Sequence, residues 1–225
     1  LSQVTPEIST TYTRPDGKKE TITLDFEQKL QEFLAFYQKN NITPPHDFED
    51  TVRDLWEKNQ MEIEQAIEQN GFDELLIIPG GFSLTELKDK LTMESGYWES
   101  SNFKAGNSFA GAKSEDIDKS RIILVHKNQE LTEHPELAST LNIKGQDVKL
   151  DKTLTLEDYL VFQKKYFEET NKHLDETKYV WLATKSGARL VRSFWDTDAH
   201  QLYVDADDLT LRDDSLGVRP ARCFF

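Results

Sequence analysis

A chain of 225 residues with 37% hydrophobic side chains, including 13 Phe, 7 Tyr and 4 Trp, has enough apolar mass to bury a core of its own. Its 41 acidic against 27 basic residues leave a formal charge of -14, which repels nucleic-acid backbones and anionic membranes at long range, so neither is expected as a partner. The single cysteine, Cys223, excludes an intrachain disulfide framework, and no run approaches the roughly 20 apolar residues that span a bilayer. With no basic and apolar leader at the start of the sequence, the expected setting is reducing and cytoplasmic.

In chain order, Thr10 to Leu24 reads as a β-hairpin, because alternating runs flank Pro15-Asp16-Gly17, where proline presets the turn and glycine accepts a positive φ. Phe26, Leu30, Phe33, Leu34 and Tyr37 then recur at helical spacing, predicting a helix over Asp25 to Asn40 that stops before Pro44 and Pro45. Phe48, Val52, Leu55, Trp56, Ile63 and Ile67 predict a second, longer helix ended by Asn70-Gly71. No internal repeat or low-complexity linker interrupts the chain.

From Glu74 the pattern becomes a short buried strand broken by Pro79-Gly80-Gly81, and Ser83 with Glu86 forms a capping box for the helix that follows. A glycine-rich turn before a helix can hold phosphate, but neither a P-loop ending nor a GxGxxG spacing is present, so a structural turn is the expectation. Residues 95–119, rich in Gly, Ser and Asn, read as a long loop pinned to the core by Tyr97, Trp98, Phe103 and Phe109. Arg121 to His126 is a buried-strand candidate and Glu133 to Leu141 a short helix with Pro135 in its first turn. Thr155 and Asp158 have the capping spacing for a helix running to about His173. Tyr179 to Thr184 and Ala188 to Phe194 predict two strands around the turn Lys185-Ser186-Gly187, and Gln201 to Ala206 and Leu216 to Phe224 complete a small antiparallel sheet. The expected class is α+β, with a hairpin and helical region over residues 1–72 preceding a second domain over 73–225.

Catalytic signatures are absent from the spacing. The histidines at 46, 126, 134, 173 and 200 are scattered without an i, i+4 pair or HExxH, so a zinc site is not expected, and Cys223 beside two phenylalanines reads as a structural thiol rather than a nucleophile. With 41 acids, spacing alone nominates no acid/base pair. The informative cluster is Asp196, Asp198, Asp205, Asp207, Asp208, Asp213 and Asp214, which lacks both the EF-hand glycine and terminal glutamate and a lectin-type Glu-Pro-Asn. These acids interleave with apolar anchors. Leu202, Val204, Ala206, Leu209, Leu211 and Leu216 are expected to point inward while Tyr203 and the aspartates at 205, 207, 208, 213 and 214 face out, as a recognition surface on a rigid frame requires.

The stretch WLATKSGARLVRSFWDTDAHQLYVDADDLTLRDDSLGVRPARCFF, with the preceding LTLEDYLVFQKKYFEET, resembles the C-terminal region of variable proteins of diversity-generating retroelements. The likeness covers about the last 75 residues, and its most specific pieces are Gly187-Ala188-Arg189 and the run from Leu216 to Arg222. It implies a C-type lectin fold of the subtype similar to formylglycine-generating enzymes, placed over residues 73–225, with a variable region at about 188–225 that adenine-directed mutagenesis rewrites. Mutated asparagine codons yield the set found at Asp196, Thr197, Asp198, Ala199, His200, Tyr203, Asp205, Asp207, Asp208, Thr210, Asp213, Asp214 and Ser215, which become the expected ligand-binding positions together with Trp195. Arg189, Arg219 and Arg222 are expected as scaffold, bridging carbonyls or carboxylates with their guanidinium forks.

What this implies is a non-enzymatic, monomeric binding protein that needs no cofactor and takes a protein or other macromolecular ligand, with Trp195, His200 and Tyr203 supplying contact area and the aspartates favouring a basic epitope. The catalytic cysteine pair of the formylglycine-generating type is missing, and the chain carries no disulfides. The alternative is a calcium-dependent carbohydrate-binding lectin that uses the same aspartates, and a third reading places an unrecognised enzyme site near Gly80, Gly81 and His126.

Overall fold

The computed structural model describes residues 6–91, 96–103 and 118–225, so the expected role of Phe109 lies outside the described residues. The class is α+β, and the chain divides into two compact units, each discontinuous in sequence. The unit that holds the N-terminal hairpin continues past residue 72 to Gly81 and also takes in Asp118–Lys127 and Ala221–Phe225; the other comprises Phe82–Ile117 and Asn128–Pro220.

In the first unit, β1 (Glu7–Thr13) and β2 (Lys19–Asp25) form the expected antiparallel hairpin, and Gly17 takes φ +83° in its turn. Ile8, Tyr12, Ile22 and Leu24 fall on one buried face by the two-residue alternation of strands. Asp25 closes β2 and caps α1 (Phe26–Lys39), its carboxylate accepting from the Gln28 amide at 2.9 Å. The buried stripe of α1 meets that of α2 (Phe48–Asn70), where Phe26 stacks on Trp56 at 5.0 Å. Gly71 ends α2 in the left-handed region at φ +70°, as a helix C-terminus favours.

Both helices lie against a three-stranded antiparallel sheet of order β10-β5-β3, built from β3 (Glu74–Ile78), β5 (Arg121–Val125) and β10 (Arg222–Phe224). Every residue of β3 and β5 is buried, which explains their unbroken apolar runs. Tyr37 reaches from α1 to donate to the Ile77 carbonyl at 2.7 Å. Pro79-Gly80-Gly81 is a structural turn here, since a Cβ on Gly80 would sit 2.3 Å from the Asp118 carbonyl oxygen.

In the second unit, α3 (Leu84–Leu91) begins at the Ser83–Glu86 capping box and packs on α5 (Leu156–Thr170). Thr155 and Asp158 cap α5 reciprocally as their spacing predicts. That helix stops at Thr170, short of His173, because Asn171 turns left-handed at φ +57°. The expected 133–141 helix is reduced to a 3-10 turn at Leu131–Glu133 and one turn of α4 (Pro135–Ala138), with Pro135 at its first position.

A five-stranded sheet of order β4-β8-β7-β6-β9 forms the body of this unit: β4 (Tyr97–Glu99), β6 (Tyr179–Ser186), β7 (Arg189–Asp196), β8 (Gln201–Asp207) and β9 (Leu216–Val218). The expectation of a purely antiparallel sheet is corrected at both edges, where β4 runs parallel to β8 and β9 parallel to β6. A second correction concerns Leu216 to Phe224, expected as one strand. Arg219 turns into the interior and Pro220 lacks an amide for a ladder, so β9 and β10 belong to different sheets.

Candidate functional site

The two-residue alternation of the five-stranded sheet sorts its side chains into two faces. Val180, Leu182, Val191, Trp195, Leu202 and Val204 are buried on one of them. His173 is sandwiched on this side between Phe167 of α5, at 4.3 Å, and Trp195, at 3.4 Å, both rings nearly parallel to it. Burial, with Lys164 nearby, pulls the His173 imidazole down to about 4.

On the opposite face, half is covered and half is open. Trp181, Leu190, Leu216 and Val218 form a cluster with Val148, against which Ile143, Leu150, Leu209 and Leu211 pack. Beyond it, four aromatic side chains from four neighbouring strands make a continuous row: Trp98 stacks on Tyr203 at 4.5 Å, Tyr203 tilts against Phe194 at 5.3 Å, and Phe194 meets Tyr179 at 4.2 Å. The register sets Trp98 beside Tyr203 and Tyr203 beside Phe194. Tyr179, Phe194 and Tyr203 are half-buried, and Trp98 is 39% exposed.

A charged layer lies next to this row. Arg192 places its guanidinium over the Tyr179 ring at 4.4 Å and pairs with Asp205 at 3.2 Å and Asp207 at 2.6 Å. Asp205 also accepts from the Ser100 hydroxyl and from the Ala206 amide at 2.8 Å. Burial alone would raise the Asp205 pKa, but these hydrogen bonds and Arg192 outweigh it and hold the carboxyl below its usual range. Burial raises the Tyr179 phenol, Arg192 opposes this, and the negative charges of Asp205, Asp196 and Asp213 add to it. Three separate segments thus bring carboxylates to the surroundings of one ring.

The positions expected from sequence fall into three groups. Tyr203 and Asp207 belong to the open face, and Thr197, Asp198, Ala199 and His200 form an exposed turn beside half-buried Asp196, with His200 at φ +52°. Asp208, Thr210, Asp213 and Asp214 are exposed and Ser215 is half-buried in the segment from β8 to β9. Asp196 accepts from the amides of Asp198 and Ala199, Asp208 from Thr210, and Asp213 from Ser215, so one oxygen of each carboxylate shapes its own turn. These turn bonds hold the Asp208 and Asp213 pKa values low.

Two positions do not match the outward expectation. Trp195 is only 3% exposed and lies on the α5 side, stacked on His173; Asp205 points to the open face yet is 6% exposed beneath Ser100 and Arg192. The anchors behave as expected: Leu202, Val204, Ala206 and Leu216 are buried, and Leu209 and Leu211 pack on the cluster at Trp181.

Of the three arginines expected as scaffold, Arg219 is wholly interior and forked onto Asp175 at 2.7 and 2.9 Å. Arg189 is exposed beside the β6–β7 turn, and Arg222 is exposed in the other unit, 3.2 Å from Glu62. Trp98, expected only as a ring pinning a loop to the core, is instead 39% exposed in β4, and Tyr179, Arg192 and Phe194 were not singled out from the sequence. Alternation along β6 and β7 carries a signal for the last three, whereas Trp98 arrives through a parallel pairing that no local pattern encodes.

Among the described residues no group of three or more His, Cys, Asp or Glu side chains is placed to hold a metal ion. His126 is buried against Phe72 at 5.0 Å, and a cavity of about 170 Å³ in the first unit is lined by Pro6, Phe26, Glu27, Arg53, Trp56 and Glu57, away from Gly80, Gly81 and His126 in its lining. No described helix is long and apolar enough to cross a membrane. No protein-family model, curated protein or solved structure matched the chain.

Proposed function

We propose that this chain is a non-enzymatic ligand-binding protein whose C-terminal segment displays a diversified surface on a C-type-lectin-like scaffold, in the manner of retroelement variable proteins. The observation that carries this reading is the convergence of Tyr203, Asp205 and Asp207 on Tyr179 and its stacked Arg192. Residues that the resemblance marks as rewritten surround a rigid row of rings, while the apolar residues between them are buried. Aromatic anchors with few rotatable bonds bring contact area at low ordering cost, and exposed loop positions beside them can change identity without disturbing the core. Ligands are proteins or other macromolecules, met in the cytoplasm.

The test is to sequence the DNA downstream of the gene. The reading predicts a near-copy of the 3′ end that differs only at adenines, accompanied by a reverse-transcriptase gene. Absence of both would remove diversification and leave only an aromatic binding face.

A further inference from the structure

The open face already holds one cation belonging to its own chain. Arg192 lies flat enough over Tyr179 to bring its central carbon within 4.4 Å of the ring centre, and its nitrogens meet Asp205 and Asp207. A planar guanidinium can stack on a ring and fork to carboxylates at the same time, which a lysine ammonium cannot. Beyond Phe194, the rings at the other end of the row, Tyr203 and Trp98, repeat the aromatic half of that arrangement, and Trp98 is the most exposed of the four. The negative charges of Asp196 and Asp213 act on Tyr179 at one end of the row and that of Asp207 on Tyr203, in a chain of net charge -14.

The geometry points to an arginine-bearing segment of a partner protein as the occupant of this face. This rests on the reading of the face as a ligand-binding surface and adds the chemistry of what it takes. An incoming guanidinium packs on the Trp98–Tyr203 end of the row, drawn by the net charge of -14 and by Asp207, which it shares with Arg192, and so repeats the contact that Arg192 makes on Tyr179. Charge complementarity brings the partner in, and the rings make the choice of arginine over lysine. A nucleic-acid strand, which could stack on the same rings, is disfavoured by the carboxylates around them.

The experiment measures binding of a fluorescein-labelled arginine nonapeptide and the matching lysine nonapeptide to the whole chain at about 150 mM salt. The arginine peptide is expected to bind on the order of tenfold more tightly, and Trp98→Leu and Tyr203→Leu, which leave the net charge unchanged, are each expected to weaken it severalfold. Circular dichroism checks that the variants fold, and Trp98→Leu, at an exposed edge-strand position, is the variant least exposed to misfolding. Equal binding of the two peptides, insensitivity to the folded ring variants, or binding of neither peptide would each overturn the proposal. An adenine-variant template found beside a failed peptide experiment would sink the partner chemistry alone; ring-dependent arginine binding without a template would sink diversification alone.

Discussion

Arg219 grips Asp175 with two hydrogen bonds, Nε to Oδ2 at 2.7 Å and Nη2 to Oδ1 at 2.9 Å, in a position where the two side chains are only 2% and 0% exposed. The Tyr159 hydroxyl donates to the same carboxylate at 3.0 Å, and Arg219 also donates to the Gln129 carbonyl at 2.6 Å. Asp175 itself, at φ +54°, gives its amide to Gln129 and takes the Trp195 amide on its carbonyl. One ion pair therefore ties together the segments at 129, 159, 175, 195 and 219, and it does so behind the sheet that carries the aromatic row. Burial works against the charge on Arg219, but Asp175 more than offsets it and holds the guanidinium pKa above its ordinary value.

Breaking such a pair from one side strands a charge in the interior. Arg219→Met and Asp175→Asn are each expected to cost about 3–5 kcal/mol in urea unfolding. Combining Arg219→Met with Asp175→Asn should cost clearly less than the sum of the two single losses, since no unmatched charge remains.

His173 makes the stability of its unit pH-dependent with a definite sign. Its folded value of about 4 lies below the 6.5 of the free side chain, so the unfolded chain binds more protons between those values. Its contribution is present above pH 6.5 and is lost as pH falls towards 4, by up to about 3 kcal/mol at the bottom of the range. Unfolding curves for His173→Phe, which keeps a ring between Phe167 and Trp195, should show that part of the pH slope flattened.

The positions proposed as diversified are not equal in what they tolerate. Asp205→Ala removes the acceptor for Ser100 and the Ala206 amide and one of the two carboxylates paired with Arg192, and should cost about 1–3 kcal/mol. Asp198→Ala and Asp214→Ala, at exposed positions, should stay within about 0.5 kcal/mol. Thermal unfolding of the three variants side by side checks the contrast.

Gly71 is needed for two reasons at once. Its φ of +70° is strained for any side chain, and a Cβ there would meet the Tyr12 ring at 2.5 Å. Gly71→Ala should lower stability by about 1–3 kcal/mol in urea unfolding while leaving peptide binding at the aromatic row unchanged.

Local patterns carried most of the fold. The 3.6-residue stripes of α1, α2 and α5, the turn at Gly17 and the caps at Gly71 and Thr155 can all be read from neighbouring residues, because each depends on contacts within a few positions, whereas Asp25, expected as the first residue of α1, instead closes β2 and caps the helix. What could not be read that way depends on distant partners. The parallel edges β4 and β9, the departure of Arg222–Phe224 to another sheet, and the stacking of Trp98 on Tyr203 all join residues far apart in sequence. The aspartate segment was legible as alternating anchors and polar positions, but its alternation did not reveal that Asp205 would be roofed by Ser100 and Arg192, or that Trp195 would face α5.

The most direct measurement is to sequence the 3′ part of this gene in many isolates carrying it. The account predicts substitutions concentrated at codons for the exposed turn and face positions, such as Asp198, His200, Tyr203, Asp207, Asp208, Asp213 and Asp214, with Asp175, Leu202, Val204 and Arg219 unchanged. Substitutions spread evenly along the gene, or a 3′ end as constant as the rest, would contradict it.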